Sequence, residues 1–153
     1  MQHPTARRGL ALLFALFALT ACGDDDGSSG GDMGLDAGGP SFRADVFGPI
    51  IQGSCAVSNC HGATATQANL LLDTADNAHA NLVGVAAMGG PCTEDAVART
   101  RVVAGDPGAS LLIEKVTQEE PECGNRMPLV GTMLTIDQQN AIRDWISRGA
   151  PND

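Results

Sequence analysis

From Ser41 to Asp153 the chain carries four cysteines, Cys55, Cys60, Cys92 and Cys123, and only three aromatic side chains, Phe42, Phe47 and Trp145. A stretch of this length builds one core. With so few large apolar groups, that core calls for crosslinks or a buried cofactor to supplement its packing. Four cysteines admit three pairings, and their order does not choose among them. Cys92 and Cys123 stand in Gly90-Pro91-Cys92-Thr93 and Pro121-Glu122-Cys123-Gly124, turn-like contexts suited to a disulfide. Closing a loop of that length contributes about 3 to 4 kcal/mol on the chain-entropy account. A four-ligand zinc site is disfavoured, because neither cysteine has the close paired spacing that such sites use.

The chain begins with a polar stretch holding Arg7 and Arg8, then an apolar run from Gly9 to Leu19. The run is too short to span a bilayer, and a basic flank before an apolar segment is the layout of a secretory leader. Leu19-Thr20-Ala21-Cys22 closes it and resembles a lipobox, which implies cleavage after Ala21 and acylation of Cys22. The alternative is an ordinary leader ending near Ala21, with Cys22 incidental. Lipidation by two or more chains holds a protein stably on a membrane. The expected location is therefore the cell envelope, at the outer membrane or the periplasmic face of a membrane, and export means an oxidising compartment. Residues 22–40 are nearly all Gly, Asp and Ser, with little to bury, and read as a flexible acidic tether. Residues 41–153 form the folded domain. Removing Arg7 and Arg8 with the leader takes the formal charge from −9 to −11. So acidic a chain does not bind nucleic acid, and its protein partners are expected to present basic surfaces.

Periodicity points to a mostly α fold of three to five short helices joined by long loops. Val46, Phe47, Ile50 and Ile51 predict a short helix before Cys55, bent or started at Pro49. Thr74 opens a second, with Ala75, Ala78 and Leu82 on one side. Asp106-Pro107 has the N-cap and first-turn chemistry of a third, striped by Leu111, Leu112 and Val116. Thr135-Ile136-Asp137-Gln138 is a capping box for a fourth, reaching Arg148, with Ile136, Ala141, Ile142, Trp145 and Ile146 turned inward. Gly149 and Pro151 stop it.

The segment Cys55-Ala56-Val57-Ser58-Asn59-Cys60-His61-Gly62 carries the chemistry. A Cys-x-x-Cys-His run is the attachment signature of c-type haem, in which two thiols bond the vinyl groups and the histidine binds iron. Here the spacer is four residues where the signature has two. Downstream, Arg126-Met127-Pro128 precedes the last helix, where a methionine can serve as second axial ligand. Gly105-Asp106-Pro107 through Val116, then Met127-Pro128, Leu134-Thr135 and Trp145 through Pro151, are similar in order and spacing to the cytochrome c-like domains found on bacterial lipoproteins.

That resemblance covers about Val46 to Pro151. It implies a cytochrome c-like fold and one covalent haem c, with Cys55 and Cys60 as thioether sites and His61 and Met127 as axial ligands. Trp145 would pack the last helix on the first and on the haem edge. The function implied is one-electron transfer between redox proteins, with no catalytic residue. Methionine opposite histidine raises the potential relative to bis-histidine ligation. The residues also admit a second reading, a haem-free surface module stapled by Cys55–Cys60 and Cys92–Cys123, with His61 on the surface and Met127 in the core. Met133 is the rival distal ligand, but no proline follows it. His79, inside the second helix, reads as a solvated or capping residue.

Overall fold

The computed structural model describes residues 38–64, 66–93 and 99–153. The expected leader, Cys22 and the expected tether as far as residue 37 lie outside the described residues. The chain is mostly helical. Helix α1 (Phe42–Ile51) continues into a short turn of helix at Gln52–Ser54. After it come α2 (Ala75–Leu82), the single turn α3 (Gly90–Thr93), α4 (Leu111–Thr117) and α5 (Ile136–Ser147).

Helix α1 starts well before Pro49, because Ser41 caps it by accepting from the Ala44 amide. The Asp153 carboxylate also accepts from Phe42 N–H at 2.8 Å, placing negative charge on amides that have no helical partner. The helix is wide: its hydrogen bonds reach five residues back, as from Gln52 N–H to the Phe47 carbonyl. That widening accommodates Pro49, which has no N–H to donate and whose ring crowds the carbonyl four residues earlier in an ordinary helix.

Thr74 caps α2, accepting from Asn77 N–H, and the Thr135–Gln138 capping box opens α5 with both of its bonds formed. The Asp106-Pro107 signal behaves differently. Asp106 accepts from Ala109 N–H and closes a separate turn, and α4 begins only at Leu111. The amides that would have continued that turn are engaged elsewhere, Leu111 N–H with the Thr100 carbonyl and Leu112 N–H with that of Arg101. The 99–103 segment thus lies between 82–87 and 110–112. Isolated bridges link them at Val83–Val102, Ala86–Thr100 and Thr100–Ser110, and among the described residues they build no named strand.

The core is where α1, α2, α4 and α5 converge. Phe42, Val46, Ile50, Ala78, Val102, Val116, Ile142, Trp145 and Ile146 are buried together. Phe42 stacks on Trp145 with ring centroids 4.8 Å apart, so Trp145 does join the last helix to the first. Its indole N–H donates to the Pro151 carbonyl at 2.9 Å. Ile136, expected to face inward, is 68% exposed. It is the first residue of α5 and stands outside the stripe formed by Ile142, Trp145 and Ile146. The inward place before Ile142 goes to Gln139, whose amide donates to the Leu134 carbonyl.

Candidate functional site

Cys55 to Gly62 leave the end of α1 as a compact loop. Both Cys55 and Ala56 donate to the Ile51 carbonyl at 2.9 Å. Cys60 N–H and Gly62 N–H then return to the Val57 carbonyl, and His61 N–H reaches the Cys55 carbonyl at 3.3 Å. These bonds draw the two ends of the four-residue spacer together. Val57, Ser58 and Asn59 are exposed, while Cys55 and Cys60 are half-buried and His61 and Gly62 are buried. The glycine is required by close approach: a Cβ on Gly62 would stand 2.7 Å from the Ala56 carbonyl oxygen.

Cys55 and Cys60 are both free thiols. Burial, aided by the neighbouring Cys60, pushes the Cys55 thiol up to about 11, so it stays protonated near neutrality. Burial also holds the His61 imidazole below its ordinary range, outweighing carbonyl contacts from Leu70 and Gln67, and the nearby Arg101 charge pushes the same way. His61 Nδ1 lies 3.2 Å from the Leu70 carbonyl oxygen. A carbonyl only accepts, so Nδ1 carries the proton and Nε2 of the neutral ring keeps its lone pair. A main-chain carbonyl on one ring nitrogen is also how ligating histidines are oriented.

The carbonyl that holds His61 is itself braced. Leu70 follows a turn at Gln67–Asn69 in which Ala68 and Asn69 adopt positive φ, 56° and 53°. For alanine this conformation costs about 1 kcal/mol or more and persists only where the surroundings impose it. Arg101 imposes it here. Its buried guanidinium donates to the carbonyls of Ala68 and Asn69 at 3.0 and 3.1 Å, and to that of Asn81 at 2.7 Å. Sequence reading passed over Leu70 and Arg101, because a main-chain acceptor leaves no motif and an arginine that bonds only carbonyls has no acidic partner to signal it.

Met127 lies on a second loop. Its N–H donates to the Lys115 carbonyl of α4 at 2.7 Å. The Lys115 ammonium turns back onto the same loop, donating to the carbonyls of Cys123 and Asn125. Cys92 and Cys123 are joined, with Cα atoms 5.0 Å apart. The disulfide packs with Leu111 in a small cluster of its own. Met127 is half-buried and belongs to neither apolar cluster. Leu129 and Val130, just beyond it, are exposed. Beside it, Arg126 has its Nη1 buried without a hydrogen-bond partner. Met133 is also half-buried. His79 is half-buried: Nε2 is 2.8 Å from the Ala150 carbonyl oxygen and the ring stands edge-on to Phe42.

No family model, characterised protein or solved structure matches this chain. The chemistry must therefore be read from the residues themselves. Among the described residues, no three His, Cys, Asp or Glu side chains gather as a metal-binding group. Two clefts are described. One, of about 670 Å³, is lined by Arg99, Glu114 and Arg143, the other by Ala44, Pro49 and Ala141; neither is lined by Cys55, Cys60, His61 or Met127. The structure brings Cys55, Cys60 and His61 together in one loop. No described hydrogen bond or apolar cluster joins them to Met127.

Proposed function

We propose that residues 41–153 are a cytochrome c-like domain carrying one haem c, thioether-linked at Cys55 and Cys60 and ligated by His61 and Met127, on a lipid-anchored protein of the cell envelope. The observation that carries this reading is the contrast between the two cysteine pairs around a prepared histidine. Cys92 and Cys123 are joined, whereas Cys55 and Cys60 stand as thiols in the same loop as a buried imidazole whose Nδ1 is held by the Leu70 carbonyl. Exported chains seldom keep free thiols, and an unjoined pair next to a buried histidine suits thioether formation.

The donor set fits the group: two thiols, an imidazole nitrogen and a thioether that the core does not use. Haem, when bound, supplies reversible one-electron exchange at iron. The chain's own residues do the rest. The Leu70 carbonyl orients His61, Arg101 stiffens the turn that presents it, and Lys115 fixes the main chain at Met127. His61 and Met127 would hold the group between them, which suits a carrier with no substrate site. Acylated at Cys22 and tethered by residues 22–40, the domain would shuttle electrons between redox proteins that present basic surfaces.

A haem-free module remains the second reading, favoured by the two clefts, neither of which includes the four residues named. The test is the visible spectrum of the full chain, exported in a host with haem-attachment machinery, followed by denaturing electrophoresis stained for haem. A Soret band with sharp reduced α and β bands, and a stain that survives denaturation, support the carrier. A colourless protein from that host gives the case to the haem-free module.

A further inference from the structure

We propose that the groove between α1 and α5 docks a basic segment of a partner protein, whose lysine or arginine side chains lay their stems on its apolar lining and their heads beside its carboxylates. The inference goes beyond the haem reading and does not depend on it. Helix α1 packs on α5, and the cleft between them, of about 400 Å³, is lined by Ala44 and Pro49 of α1 and Ala141 of α5. Asp45, Asp137 and Asp144 line it as well. Asp137, Ala141 and Asp144 stand four and then three residues apart on α5, and so share one face of that helix. Among the described residues, no cation lines this cleft and no ion pair engages its three acids.

The arginines on and just after these helices answer other groups. Arg43 pairs with Asp76, Arg148 with Asp153, and Arg143 donates to Asn140. The larger cleft differs in this respect: its two arginines face two glutamates, and Arg99 pairs with both Glu114 and Glu122. An apolar surface flanked by unmet negative charge suits a long basic side chain, which has an apolar stem and a charged head. Charge also excludes the occupants closest to hand. The segment from Cys22 to Pro40, whose last residue lines the groove, carries Asp24, Asp25, Asp26, Asp32 and Asp36 and no basic residue. A second copy of the chain brings 18 acidic residues against 9 basic ones. The field that repels both of these draws a basic partner in.

The experiment is fluorescence anisotropy of a labelled peptide of alternating lysine and leucine, titrated with the full chain at low salt, together with zero-length carbodiimide crosslinking of the same pair. Crosslinks from the peptide lysines should include Asp45, Asp137 or Asp144. Asp137→Asn combined with Asp144→Asn should weaken binding about fivefold, the loss of two exposed charge pairs. Glu119→Gln combined with Glu120→Gln removes the same charge from an exposed stretch after α4 and should leave binding near the parent value. Equal weakening by the two double variants would mean attraction to net charge alone and overturns the groove. So does a parent chain that fails to bind the peptide, or that binds its glutamate-for-lysine counterpart as tightly. Should the α5 variant fail to accumulate, the parent's crosslinks decide: a map without any of those three aspartates overturns the proposal.

Discussion

The loop that carries His61 and the loop that carries Met127 are held in opposite ways. The first grows out of α1, hangs on the Ile51 carbonyl, and packs Cys55, Ala56 and Leu70 against the main core. The second lies off that core, fastened by the Cys92–Cys123 disulfide and by Lys115, with Leu129 and Val130 open to solvent. The first loop therefore shares the stability of the whole domain, and the second depends on local staples. Regions of the second kind open by local fluctuation, at a free-energy cost below that of global unfolding.

Breaking the core should test the first loop most severely. Trp145→Ala removes a fully buried ring that stacks on Phe42 and should lower stability by about 3 to 5 kcal/mol in denaturant unfolding. Exchange of the His61 and Leu72 amides should accelerate with it, since both lie in hydrogen bonds attached to that core. Cutting the staple should do the reverse. Replacing Cys92 and Cys123 by serine should cost about 3 to 4 kcal/mol. It should speed exchange at Met127 N–H far more than at His61 N–H. Equal acceleration at both amides would erase the distinction drawn here.

The element types, the disulfide candidates and the residues of the first loop were legible in the sequence, because each rests on local chemistry. Thr74 and Thr135 cap helices by accepting from amides three residues on, and nothing tertiary competes with them. Asp106-Pro107 misled for the opposite reason: its turn formed, but pairing with Thr100 and Arg101 took the amides that would have extended it. Pro49 suggested a bend or a start, yet a helix with longer-range hydrogen bonds runs through it. The glycine after His61 was visible as a letter and its reason was not, because the clash it avoids is with the carbonyl of Ala56, brought near only by the folded loop. Leu70, Arg101 and Lys115 act through main-chain carbonyls, which no side-chain pattern reports.

Two smaller effects sharpen the comparison. Gly62→Ala should cost about 1 to 3 kcal/mol through overpacking and should reduce haem attachment, while exchange at Met127 stays near its parent rate. Asp153 supplies the smallest. The Phe42 amide, ahead of Arg148, holds its carboxyl below the usual range. A depressed folded pKa gives stability that is fully present above the unfolded value and is lost as pH falls through the folded one. Acid below about pH 4 should thus loosen the start of α1, and Asp153→Asn should flatten that part of the stability profile, by less than about 1 kcal/mol for so exposed a group.

The central claim is that the two cysteine pairs have different fates, and peptide mass spectrometry of the exported chain, alkylated before digestion, reads those fates directly. The account predicts a peptide containing Cys55 and Cys60 that carries the mass of one haem and no alkyl group, together with a peptide pair linked through Cys92 and Cys123. Cys55 and Cys60 recovered alkylated, or joined to each other, from a host that matures other c-type cytochromes would contradict it.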